Sequence, residues 1–257
     1  MTETSDSVLL PPANRQRWIF MGGGGIGDSD QSTARADIVD LRGPSPRYRP
    51  GPDLSAPTRY PNAVILPDDQ TLVTGGAGDY RANQHSALLT ASLLAPGGES
   101  MHRVADPTVP RSYHSSALLL PDGRVLTAGG DPLHDANGGP GSFELRMEIY
   151  SPPYLFRGPR PSITAGPRVL RRGATAVFTS PDAARITKVR LVRPSAVTHT
   201  TNLEQRSIAV ELRVVRDGGA IAVTVPTGAG LTPPGWYMLF AVDRDGVPSV
   251  ARWVRVR

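Results

Sequence analysis

Asn62–Gly76 reads NAVILPDDQTLVTGG and Ser116–Gly130 reads SALLLPDGRVLTAGG. Each is a short apolar run, a Pro-Asp turn, a second apolar run and a glycine pair. Leu-Pro-Asp-Gly between apolar runs is hairpin chemistry, because proline presets φ and Asp and Gly tolerate the tight reversal. The closing glycines suit a place where backbones crowd and a β-carbon would clash. Ser7–Gly25, SVLLPPANRQRWIFMGGGG, is a looser third copy, and Pro11, Pro67 and Pro121 fall 56 and 54 residues apart.

A self-similar unit of about 50 residues is the mark of a repeat fold. Ala36–Leu41, Ser86–Leu94 and Arg146–Tyr150 supply candidate outer strands. Four short strands in that span match the size of a kelch-type β-propeller blade. Propellers close with about 4–8 blades, and three leave open strand edges. Residues 1–156 are therefore expected to form a partial kelch-type β-propeller of about three blades. An N-terminal propeller chain or self-association is expected to cover the open edge.

The stretch YSPPYLFRGPRP, residues 150–161, reads as a stiff proline-rich linker. Beyond it the composition changes to β-branched alternation. Ala174–Thr179, Lys188–Val192, Ile208–Val215, Ala220–Val225, Gly235–Val242 and Arg252–Val256 read as strands. Turns at Asp217-Gly218-Gly219 and Asp243-Arg244-Asp245-Gly246 separate some of them. Residues 157–257 are expected to form an immunoglobulin-like β-sandwich, with Trp236 and Trp253 as core or half-buried packing residues. The fold class is all-β.

Composition removes several functions. There is no cysteine among 257 residues, which excludes a disulfide scaffold, a thiolate metal site and a cysteine nucleophile. The formal charge is +5, carried almost entirely by scattered arginines, with Lys188 the one lysine. No basic patch interleaved with aromatics appears, so no nucleic-acid partner is expected. No run reaches the ~18 apolar residues of a membrane span. Met1-Thr2-Glu3-Thr4-Ser5-Asp6 is acidic and polar, unlike a signal peptide.

The histidines are His85, His102, His114, His134 and His199. No HExxH, Walker A or Rossmann pattern accompanies them. Tyr113-His114 opens the inner strand of the third repeat, where the second repeat has Tyr60-Pro61. A histidine in one copy only is either a functional replacement or a strand-end cap. His199, in RPSAVTHTTN, sits in a loop and on its own reads equally as surface. Two imidazoles and a phenolate suit copper better than calcium or magnesium.

RSYHSSALLLPDGRVLTAGG, ELRMEIYSPPYLF, VRPSAVTHTTNLEQRS and PPGWYMLFAVDRDGVPSVARWVRV together resemble the C-terminal part of galactose oxidase and, more closely, glyoxal oxidase. The resemblance implies copper-radical chemistry: oxidation of a small alcohol, aldehyde or carbohydrate by dioxygen, giving hydrogen peroxide. It implies one copper, held by Tyr113 as axial ligand and substrate-proton acceptor and by His114 and His199 as imidazole ligands. It also implies that a loop of the C-terminal early-set domain reaches into the propeller channel, and that the family is extracytoplasmic. The family's radical resides on a tyrosine cross-linked to cysteine, and this chain has no cysteine. Three readings follow: a C-terminal piece that is inactive alone, one half of a split oxidase, or a non-enzymatic interaction module that retains the ligands.

Overall fold

The computed structural model describes residues 3–132, 141–215 and 218–257. His134 and Asp217 lie outside them, as does the side chain of His85. The fold is all-β, interrupted by four short 3-10 turns.

The repeats fold as successive antiparallel meanders. The first comprises β1 (Asp6–Leu9), β2 (Arg17–Met21), β3 (Ala36–Asp40) and β4 (Tyr48–Pro50). The second comprises β5 (Asn62–Ile65), β6 (Thr71–Thr74), β7 (Ala91–Leu94) and β8 (Met101–Arg103). The third has β9 (Ser116–Leu119), β10 (Val125–Ala128) and β11 (Glu148–Tyr150), with no fourth strand among the described residues. The expected outer strand Ser86–Leu94 is shorter than anticipated. Ala87 forms only an isolated antiparallel bridge with Ala77 before regular pairing starts at Ala91. The glycine pairs do mark crowding. A β-carbon on Gly76 would lie 2.6 Å from the Arg59 carbonyl oxygen, and the Gly76 N–H donates to the Arg111 carbonyl at 2.6 Å.

Polar side chains at the starts of the inner strands tie one sheet to the next. Asn62 Nδ2 donates to Ser115 Oγ at 2.8 Å, and Asp6 accepts from the Ser7 N–H at 2.7 Å beside the Ala63 backbone. Asp6 is wholly buried, and its Oδ2 has no partner among the described residues. Burial penalises the anion and pushes its pKa up to about 8. A carboxyl whose folded value lies above its unfolded one stabilises fully below about pH 4, and that contribution is lost as pH rises through about 8. Asp6→Asn is expected to remove this part of the pH dependence. Chemical denaturation from pH 4 to 9 checks it: a native-like alkaline decline in the variant would be the contrary result.

The second half is a two-layer sandwich. One sheet has the order β12 (Val169–Leu170), β21 (Arg252–Val256), β20 (Gly235–Asp243), β14 (Ile186–Arg193), β17 (Arg206–Ala209). The other joins β13 (Thr175–Thr179), β19 (Ala220–Thr224) and β18 (Glu211–Val214). A separate hairpin pairs β15 (Val197–Thr198) with β16 (Thr201–Asn202). Phe178, Ile221 and Val223 from one layer meet Leu191, Ile208, Tyr237 and Leu239 from the other in a closed core. The expected strand Ile208–Val215 is two strands: the chain leaves the five-stranded sheet at Val210 and enters the three-stranded one. Of the two alternatives for Trp236 and Trp253, half-buried holds: they are 53% and 41% exposed.

The two halves share buried surface. Val192, Met238 and Phe240 of the sandwich pack with Val64, Leu66 and Leu72 of the second sheet. The proline-rich stretch is no free spacer. Tyr154 is buried in the same cluster and its hydroxyl donates to the Gly123 carbonyl. Arg160 donates to the carbonyls of Asp122 at 2.8 Å, Pro248 at 2.8 Å and Ser249 at 2.7 Å.

Candidate functional site

Tyr113, His114 and His199 meet. Tyr113 and His114 stack with ring centroids 3.9 Å apart. The His199 ring lies 5.0 Å from His114 and 5.6 Å from Tyr113. The first two come from the third repeat and the third from the sandwich, so the cluster exists only because the two halves pack together.

Local backbone geometry presents both imidazoles. His114 has φ of 60° just ahead of β9, in a turn where the Ser115 N–H donates to the Ser112 carbonyl at 3.1 Å. His199 and Thr200 have φ of 53° and 69° and form the two-residue reversal between β15 and β16. Two positive φ values in a two-residue hairpin loop demand the turn usually filled by Asn-Gly. A histidine and a β-branched threonine there are strained by roughly 1–3 kcal/mol each, and strain of this kind concentrates at functional sites.

Each histidine is held through Nδ1. His114 Nδ1 lies 2.9 Å from Asp131 Oδ2, and His199 Nδ1 lies 2.7 Å from Thr198 Oγ1. Engaging Nδ1 sets the ring orientation and directs Nε2 to an outside ligand. Asp131 is itself held: Arg81 Nη2 donates to the same oxygen at 2.7 Å. The Arg81 guanidinium also lies 4.5 Å from the centroid of the Tyr113 ring, a cation–π distance. The Tyr60 ring sits 5.2 Å from that of Tyr113. Beneath these groups Arg111 is buried, donating to the carbonyls of Gly129 at 2.9 Å and Arg146 at 2.8 Å. It fixes the turn that carries Asp131.

Sequence reading missed Asp131, Arg81 and Thr198. Asp131 had the same mark as His114. The residue after the glycine pair is Gly24 in the first repeat, Ala77 in the second and Asp131 in the third. Arg81 carried no comparable mark, because its loop departs from the repeat. His102, by contrast, is surface, 3.2 Å from Ser100 Oγ.

Two imidazoles with Nδ1 engaged and a phenol beside them form a donor set suited to copper. No group of three or more His, Cys, Asp or Glu side chains poised for a metal occurs among the described residues, so any metal here depends on the tyrosine.

The fold and cluster define a β-sheet array joined to an immunoglobulin-like domain that contributes one residue to a shared aromatic–histidine site. Residues 160–256 match the galactose oxidase-like, early set domain family. The chain is 31% identical to galactose oxidase of Gibberella zeae over 98% of its own length and 37% of that protein's. It is 41% identical to an aldehyde oxidase of Vitis pseudoreticulata over 75% of its own length and 40% of the relative's. A fungal alcohol oxidase solved in complex with copper superposes with a TM-score of 0.88 at 32% identity, covering 99% of this chain and 54% of that one. Residues 160–256 thus belong to the galactose oxidase-like early set family, and the chain as a whole is similar to galactose, aldehyde and alcohol oxidases. It spans well under half the length of the curated relatives it matches.

Proposed function

We propose that these 257 residues carry the histidine and axial-tyrosine part of a copper-radical oxidase acting on alcohols or aldehydes. In this reading residues 1–156 are kelch-type blades and residues 157–257 the early-set domain. His114 and His199 would hold one copper through Nε2 with Tyr113 as the third donor, and the Tyr113 phenolate would take up the substrate hydroxyl proton. Bound copper, paired with a protein radical, supplies a two-electron oxidation with dioxygen reduced to peroxide. The observation that carries the reading is the convergence of the three rings from two separate halves of the chain, with both Nδ1 atoms already engaged.

The family's radical cofactor needs a cysteine, and the chain has none. The chain alone is therefore a copper-binding but catalytically silent protein. Reconstitution with Cu(II) is expected to give one copper per chain and a two-nitrogen electron paramagnetic resonance spectrum. A peroxide-coupled assay with methylglyoxal, glycolaldehyde and galactose is expected to run at the rate of a His114→Ala control. Turnover well above that control would refute the inactivity, and absence of stoichiometric copper would favour a non-enzymatic interaction module.

A second reading, one half of a split oxidase, has its own support. The segment leading into β11 exposes Phe143 (69%), Leu145 (86%) and Met147 (70%), and Ile149 is exposed within β11, the edge strand of its sheet. Exposed apolar residues running into an edge strand call for a covering partner. Further propeller sheets on another chain, or a second copy, fit that face.

A further inference from the structure

The hairpin that carries His199 is seated by one side chain that no repeat or motif singles out. The chain leaves β14 at Arg193 and re-enters the sheet at Arg206, where the two residues are registered partners. The loop between them projects to the first two meanders. Its returning limb ends at Gln205, which is 7% exposed. Gln205 Oε1 accepts from the Ile65 N–H at 2.8 Å, and Gln205 Nε2 donates to the Ile65 carbonyl at 3.0 Å. Ile65 ends β5, the innermost strand of its sheet, whose other flank pairs with β6. The side-chain amide thus occupies the open edge of β5 as a neighbouring strand would. The backbone partners also fix which amide atom is oxygen. Asn202, the last residue of β16, donates from Nδ2 to the same Oε1 at 3.1 Å and to Ser195 Oγ at 3.0 Å. Three residues beyond Asp6–Leu9, Ala13–Arg15 repeats the device from the other side: Asn14 Nδ2 donates to the Ala209 carbonyl at 3.1 Å, and its Oδ1 accepts from the Ala209 N–H at 2.8 Å.

We infer that Gln205 is the positioning residue that aims His199 at Tyr113 and His114, by pairing its amide with both backbone groups of Ile65. The role in metal binding rests on the copper reading; the seating of the hairpin does not. An amide that satisfies two otherwise open backbone groups is costly to remove, because each buried group is then left unpaired. That energy resists the recoil of a hairpin whose turn is itself strained. Gln205 touches neither imidazole, so it acts only through the hairpin.

Gln205→Met keeps the length of the side chain and deletes the pairing. In metal-free protein, hydrogen exchange at Val197–Asn202 is expected to accelerate at least tenfold while β14 and β20 keep native protection. Unchanged exchange at Val197–Asn202 overturns the proposal, as does equal loss across β14 and β20, which would make Gln205 a general stability residue. Cu(II) titration of the full chain is expected to show affinity lowered about 10–100-fold, the range for residues behind metal ligands, and a spectrum that loses one nitrogen as in His199→Ala. Native copper affinity with both nitrogens kept would likewise overturn the positioning role. Failure of the native protein to bind copper through two nitrogens, with the exchange difference intact, refutes the copper reading and leaves the seating in place. Gln205→Asn, one methylene too short to span Ile65, is the milder variant and shifts both readouts in the same direction.

Discussion

Asp69→Ala lowers the free energy of unfolding by about 3–5 kcal/mol, the range for removing one member of a buried ion pair. Asp69 sits in the β5–β6 turn, and its carboxylate takes two bonds from Arg190 of β14: Nε to Oδ1 at 2.7 Å and Nη2 to Oδ2 at 2.6 Å. Both side chains are at least nine-tenths buried, and Lys188 Nζ approaches the same carboxylate at 3.4 Å. Without Asp69 the guanidinium stays in the junction with its charge uncompensated. The position is informative for a second reason. Asp69 has φ of 77°, and its counterpart in the third repeat is Gly123, with φ of 84°. The turn prefers glycine there, and aspartate is retained where the sandwich supplies an arginine. Asp69→Gly is therefore expected to recover about 1 kcal/mol relative to Asp69→Ala through relief of the left-handed backbone. Urea unfolding followed by tryptophan fluorescence measures both. A loss under 1 kcal/mol for Asp69→Ala would mean the pair does not weld the halves.

That position also shows what sequence alone could disclose. The Pro-Asp turns and glycine pairs are set by local sterics, so the three meanders and the all-β class are readable from a few residues. Departures from the repeat were readable too: Asp69 for Gly123 and Asp131 for Ala77. Each marks a place where a tertiary partner outweighs local preference. What stayed hidden depends on partners distant in the chain. The β15–β16 hairpin lacks the Gly or Asn that announces a reversal, because His199 and Thr200 occupy its strained turn. The break at Val210 is invisible because Ile208 and Leu212 continue the alternation while changing sheets. The proline-rich stretch looked like a spacer, since nothing local shows that Tyr154 and Arg160 find their bonds at Gly123 and Ser249.

The largest effects at the site are expected from its imidazoles. His114→Ala and His199→Ala should each weaken Cu(II) binding by more than the roughly 10–100-fold typical of changes behind the ligands, and each should remove one nitrogen from the copper spectrum. Asp131→Asn should fall within that lower range. Its amide still reaches His114 Nδ1 and Arg81, now 2.9 Å and 2.7 Å from Oδ2, but it no longer carries the charge that raises ligand basicity and balances the guanidinium. The order of the three variants discriminates between explanations. If His114 bound metal through Nδ1, weakening the hold of residue 131 on that nitrogen would strengthen binding. If it binds through Nε2, the same change weakens binding, since the ring keeps a neutral partner but loses the charge that raises its basicity. Calorimetric titration of Cu(II) into the native chain and the three variants reads this sign directly. Tighter binding in Asp131→Asn would overturn the assignment of Nε2 as the donor, and native-like binding in His199→Ala would remove the sandwich hairpin from the metal site altogether.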